Sequence, residues 1–272
     1  MSHGHFRLAV SLGASALGLL LPLLPREAAA NERHFSYTYE SGVLPPGGRE
    51  LEVWTTARIG REDFYARFDQ RLEFEVGLTE RLMTAFYLNT SSTTADVGPW
   101  LRESEFEFEG VSSEWKWKLA DPVADGLGFA LYAEASGGPS ESELEAKLIL
   151  DKVLGNVLVA ANLVGATGWD YAGPETETEQ EAEADLGLSW RASPAFSLGL
   201  EVRSHNEFVD GEWEHSALFA GPVFSYAAEE WWVTATVLPQ LPALKKEGDG
   251  GDSRILDEHE KVNARLLFSF HL

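Results

Sequence analysis

The chain contains no cysteine. That excludes a disulfide framework, a thiolate metal site and a cysteine nucleophile. Basic residues are scarce: 21 Lys and Arg stand against 44 Asp and Glu, for a net charge of -23. Such a chain is drawn neither to nucleic acid nor to an anionic surface. Long apolar runs are also missing after residue 24, because charges interrupt every later stretch. No later segment therefore reads as a transmembrane helix. Large apolar side chains, by contrast, are plentiful. The 272 residues include 9 Trp, 15 Phe and 7 Tyr, too many for a disordered polymer.

The first thirty residues differ from the rest. Arg7 gives a short basic start, LAVSLGASALGLLLPLL (8–24) an apolar stretch, and Ala28-Ala29-Ala30 a run of small residues. This is the pattern of a secretory signal peptide cut after Ala30. The apolar run is short for a membrane anchor and contains Pro22. Residues 31–48 then read as an N-terminal periplasmic segment and 49–272 as the body of the protein. Only helices and closed barrels satisfy their backbone in lipid, so an exported membrane protein with this pattern must be a barrel.

Alternation supports that reading. In FYARFDQRLEFEV (64–76), every second residue from Phe64 is apolar except Gln70, and Tyr65, Arg67, Asp69, Arg71, Glu73 and Glu75 lie between. A strand sends these two sets to opposite faces. Similar segments predict twelve strands near 49–59, 63–76, 81–90, 103–119, 127–136, 142–151, 156–166, 181–191, 197–207, 215–226, 231–239 and 258–272. The second, fourth, sixth, eighth and tenth connections are short. The third, seventh and eleventh are long, while the first and fifth are short exceptions. Short turns at one end and mostly longer loops at the other describe an outer-membrane barrel with both termini in the periplasm. Trp115, Trp117, Trp190, Tyr226, Trp231 and Trp232 fall near the short turns; Tyr87, Tyr132 and Trp169 fall near the long loops. Two interfacial girdles would put rings there. The fold expected is thus all-β: a twelve-stranded antiparallel up-and-down transmembrane β-barrel behind a cleaved signal peptide.

Two places break the alternation. In SEFEFEGVSSEWKWKLA the apolar phase changes across Gly110, which predicts a β-bulge near 110–113. In NVLVAANLVG both faces are apolar, so the inward face cannot be assigned.

The last strand, KVNARLLFSFHL, carries Val262, Ala264, Leu266, Phe268, Phe270 and Leu272 on one face, with Leu267 the exception on the other. It resembles the assembly signal of Gram-negative outer-membrane barrels, which usually ends in Phe rather than in Leu272. ELEVWTT (50–56), EFEVGLTERLMTAFYLN (73–89), LEAKLILDKVLGNVLVAANL (144–163), GLEVRSHNEF (199–208), FAGPVFSYAAEEWWVTATVLPQL (219–241) and HEKVNARLLFSF (259–270) resemble an uncharacterised family of predicted Gram-negative outer-membrane barrels. A weaker likeness is to barrels encoded beside aromatic-degradation operons. The resemblance implies fold and an outer-membrane location, with no substrate and no catalytic residues. Its implied partners are outer-membrane lipid and, through the C-terminal strand, the barrel-assembly machinery.

If the odd positions of the opening strand face inward, the lumen is charged. The pathway candidates are Arg67, Asp69, Arg71, Glu73, Glu75, Glu134, Glu145, Lys147, Glu183, Asp185, Glu201, Arg203 and Arg265. Carboxylate rings select cations, which predicts a passive channel for small hydrophilic or mildly amphiphilic solutes. The alternative is a closed-lumen structural or surface-binding barrel in which these charges pair across strands. A third reading is an outer-membrane hydrolase. The twelve-stranded outer-membrane phospholipase carries a His-x-Ser pair, and His34-Phe35-Ser36 has that spacing. Here Tyr37-Thr38 stand where that enzyme has Asn-Gly, and no enzyme activity is expected. His205 and His215 lie among acids but match no zinc spacing, so neither metal nor cofactor is expected. The acidic stretches ETETEQEAEAD (175–185) and EGDGGDS (247–253) read as solvated loops, at most holding cations weakly.

Overall fold

The computed structural model of the protein describes residues 32–98, 100–209, 212–246 and 252–272. The expected signal peptide and cleavage point, and residues 247–251 of the acidic stretch, lie outside these residues. The fold is a closed barrel of twelve antiparallel strands, each paired with its neighbours in sequence. They are β1 (Arg49–Ile59), β2 (Tyr65–Thr79), β3 (Leu82–Gly98), β4 (Leu101–Ala120), β5 (Gly128–Gly137), β6 (Glu141–Leu154), β7 (Val157–Asp170), β8 (Glu177–Ser193), β9 (Phe196–Val209), β10 (Glu212–Ala227), β11 (Trp231–Lys245) and β12 (Val262–His271). Closure comes from β1 on β12, in register from Glu50 opposite His271 to Ile59 opposite Val262.

The alternation decides which way each face looks. Phe68, Leu72, Phe74, Leu148, Leu186, Leu200 and Leu266 are exposed on the outside. Glu52, Glu73, Glu75, Glu201 and Asp185 are buried on the inside. A wall this apolar on its outer surface suits lipid rather than water. Gln70 remains exposed on that outer face.

Several expectations are corrected. The third connection is not a long loop: most of 90–102 extends β3 and β4, which reach 17 and 20 residues against 11 for β1. End-to-end asymmetry therefore appears chiefly as strands that overrun the rim. Trp115, Trp117, Trp190 and Tyr226 do face outward near the short turns. Tyr87, Tyr132 and Trp232 instead point inward and are buried, because their phase belongs to the inner face. The bulge sits at Glu109, the unpaired residue between Asn89–Gly110 and Thr90–Phe108. Gly110 has a φ of 125°, and a Cβ there would overlap the Gly137 carbonyl, so glycine is required. Finally, β12 starts at Val262, not 258; residues 258–261 leave the ladder and Glu260 is buried.

The segment before β1 is the largest departure. Expected as a periplasmic stretch, residues 33–44 run inside the barrel. Their partners come from opposite walls: Glu201 on β9, Asn162 on β7, Asp151 on β6 and Thr234 on β11. One short segment can meet all four only from within the lumen. The reason is visible in HFSYTYE, whose three aromatic rings need a dry place and find one. Phe35 packs with Leu158, Ala160 and Val223. Tyr39 packs with Trp54, Tyr87, Tyr132, Ile149, Trp232 and Leu267.

Candidate functional site

The lumen has two halves. The half nearer the chain termini is filled by residues 33–44. Glu201 organises this plug: its carboxylate accepts from the backbone N–H of Ser36 (3.2 Å), Tyr37 (2.9 Å) and Thr38 (2.9 Å), and from the Ser36 hydroxyl (3.1 Å). Asn162 pairs with Tyr39 through both amide groups, accepting from its N–H at 2.6 Å and donating to its carbonyl at 3.0 Å. Such reciprocal bonds supply the partners that buried backbone requires. Gly187 on β8 makes the space, since a Cβ there would lie 2.7 Å from the Phe35 ring.

Cations hold the plug's rings from above. Arg265 lies 3.7 Å from the centre of the Tyr37 ring and Arg203 4.1 Å; Lys147 lies 4.4 Å from that of Tyr39. Below, Arg33 covers Trp54 at 4.9 Å, and Trp54 donates to Glu52 at 2.8 Å. Glu50 accepts from Trp232 (3.0 Å) and Ser269 (2.8 Å). Glu73 and Glu75 are buried on the same wall, with a Glu75 oxygen within 4.8 Å of Glu50 and Glu52. His34 donates its N–H to Glu40 at 2.7 Å, and its ring meets the same carboxylate. Burial works against both charges, yet the pair outweighs it: His34 is raised above its usual range and Glu40 lowered below its own. His34 and Ser36 thus engage two different carboxylates.

The far half is open. Two cavities of about 360 Å³ and 400 Å³ share Arg58, Arg71, Glu134 and Arg265 in their walls and form one vestibule. Arg67 bonds Asp69 at 2.5 Å and Glu109 at 2.8 Å; Arg58 bonds the other Asp69 oxygen at 2.7 Å. Arg71 pairs with Glu134, Lys147 with Glu145 at 3.0 Å, and Arg203 with Glu183 and, at 3.6 Å, Asp185. Carboxylates still outnumber Arg and Lys in the vestibule walls by about two to one. The thirteen residues that alternation turned inward divide by position. Glu201, Arg203, Arg265 and Lys147 touch the plug, Glu73 and Glu75 lie buried in its half, Asp185 is buried beside Arg203, and the other six line the vestibule.

A strap lies against one side of this half, on β10 and β11. Residues 252–261 turn inward, with Ile255 and Leu256 buried and Gln240 donating to the Ile255 carbonyl at 2.8 Å. His259 lies on this strap, 2.9 Å from His215 between Nε2 atoms. Burial, together with the neighbouring His205 and His215, pushes His259 down to about 2, so its imidazole is neutral. Alternation found His205 and His215 but not His259, which it placed inside β12. Nor did it find Tyr37, Tyr39 and Asn162. The twin apolar faces of 157–164 were one signal for them, because the inner face of β7 packs against the plug.

Barrel, apolar exterior and charged interior together define the porin-like class of outer-membrane barrels. Within that class, the chain belongs to a family of unknown function (DUF6662), whose model matches residues 27–272. No curated protein matches it. Among solved structures it is similar to the NanC porin, with 11% identity and a TM-score of 0.52 over 82% of this chain and 100% of that one. It is also similar to the β domain of the Bordetella autotransporter BrkA, with 11% identity and a TM-score of 0.52 over 84% of this chain and 100% of that one. At such identities the likeness shows the fold alone.

Proposed function

We propose that the protein is a gated channel of the Gram-negative outer membrane, closed at rest by its own N-terminal segment. The vestibule faces outward and admits small hydrophilic solutes, cations before anions. Passage follows when residues 33–44 withdraw toward the periplasm. The observation that carries this reading is the grip of Glu201 on residues 36–38, which closes the lumen but leaves its charged far half open. Lipid surrounds the apolar wall, and β12 presents its apolar edge to the assembly machinery. The sizes of the two cavities favour a second reading, a closed barrel that binds a small solute from outside without passing it. No chemistry is assigned to Ser36, whose hydroxyl is already given to Glu201.

Planar-bilayer recording of the refolded mature chain tests the gate. The wild type should stay closed with brief openings, and Glu201→Ala should open far more often. A steadily open wild type would contradict the plug. Silence from both proteins would favour the binding barrel. Membrane fractionation tests location: recovery in the soluble periplasmic fraction would contradict it.

A further inference from the structure

We propose that His205, Glu207, His215 and His259 bind a divalent first-row transition ion of the Zn2+ type, and that this ion ties the strap 252–261 to the β9–β10 hairpin. The inference does not depend on whether the lumen conducts.

The backbone brings the four together from three elements. His205 and Glu207 are two apart on β9 and so share its inner face. His215 on β10 is the antiparallel partner of Glu207. The register slips between Trp213 and His215, leaving Glu214 as the extra residue. That bulge lets Trp213 face outward, where it stacks on Phe208, while His215 faces inward. His259 descends from the strap, its ring centre 4.9 Å from that of His205 and 5.0 Å from that of His215.

The ligand atoms converge. Those of His205, Glu207 and His259 lie within 4.8 Å of one another, as do those of Glu207, His215 and Glu258. His215 Nε2 is 2.9 Å from His259 Nε2 and 3.3 Å from Glu207 Oε2. Bonds of about 2.0–2.1 Å in a tetrahedron set ligand atoms about 3.3 Å apart; the two His215 spacings are already near this, while His205 has to swing toward His215 to complete the set. The opposite ring nitrogens are already held. His215 Nδ1 meets Glu258 at 3.2 Å, and His205 Nδ1 meets Glu183 at 3.3 Å. A carboxylate behind each of these two rings fixes its tautomer, and leaves His215 Nε2 facing His259 and Glu207, the outer support that zinc histidines use. Three imidazoles and a carboxylate suit Zn2+, Ni2+ or Cu2+; Ca2+ and Mg2+ prefer an all-oxygen cage.

The test is calorimetric titration of the chelator-treated, refolded mature chain with Zn2+, followed by competition with Ca2+. One Zn2+ should bind per chain and resist a large excess of Ca2+. His259→Gln and His215→Gln should each weaken binding by about 10–100-fold or more, on the scale of lost metal-site contacts. Glu214→Gln should not. Heat-modifiable migration checks that each variant is folded. Should a variant fail to fold, Co2+ bound to the wild type gives an independent readout: a tetrahedral visible spectrum abolished by Zn2+. Zn2+ should also slow trypsin cleavage after Lys246 and Arg254. Equal Zn2+ affinity in wild type and folded His variants, ready displacement by Ca2+, an octahedral Co2+ spectrum or unchanged cleavage would each overturn the proposal.

Discussion

The two halves of the lumen are built from the same strands and the same alternation, yet they end up in different physical states. Near the termini the inner wall carries Ile149, Leu158 and Leu267 among its polar residues, and the aromatic plug covers them. At the far end the inner wall is more heavily charged, and its apolar residues Ala217, Phe219 and Leu238 gather on one side against Tyr37 and Ile255. Charges there pair with one another across strands in contact with solvent. A charged interior by itself therefore does not define a path. What closes the barrel is a handful of inward apolar residues and one carboxylate, Glu201, placed to satisfy a foreign segment.

Breaking the closed half should cost most. Glu201→Ala removes the acceptor of three buried backbone donors and one hydroxyl. Orphaned donors cost about 1–3 kcal/mol each, so the plug should lose about 3 kcal/mol or more. Amide exchange of residues 36–38 should then accelerate by roughly a hundredfold or more. Gly187→Val comes next: it overlaps the Phe35 ring, and overpacking of this kind costs about 1–3 kcal/mol. Exchange should quicken over the plug while the far half is unaffected.

Breaking the open half should cost less. Arg67→Ala removes pairs whose side chains are 21–31% exposed, so stability should fall by about 1 kcal/mol or less. Denaturant unfolding measures it, and plug exchange should not change. The smallest effect is pH. The His34 contribution is fully present below about 6.5 and is lost as pH rises through its raised value. The Glu40 contribution is present above about 4.5 and is lost as pH falls through its lowered value. The plug should be tightest between these limits and loosen modestly toward pH 8, an effect that His34→Gln should abolish.

Most of the barrel was legible from alternation, because lipid on one side and polar groups on the other impose a period of two on each strand. Strand number and the inner face of β2 follow from that period, and the break in phase at Gly110 marks a bulge that falls one residue earlier, at Glu109. The halves of the lumen were not legible, since alternation reports a face and not what rests against it. Three irregularities carried the missing information: the twin apolar faces of 157–164, Leu267 on the wrong side of β12, and three aromatic rings in HFSYTYE. Each is a residue that neither lipid nor a water-filled pore accounts for, and each proves to touch the plug. His259 stayed hidden because it reaches β9 and β10 through a connection with no period of its own.

Disulfide trapping gives the most direct test of the plug. The native chain has no cysteine, so a Ser41→Cys/Asp151→Cys pair introduces the only two thiols. Ser41 N lies 3.3 Å from Asp151 Oδ2, which places the two residues in contact across the lumen. Oxidation in intact outer membranes should form the intramolecular disulfide rapidly and hold the channel shut until reductant is added. Failure to cross-link, or an open conductance in the cross-linked protein, would contradict a lumen closed by the N-terminal segment.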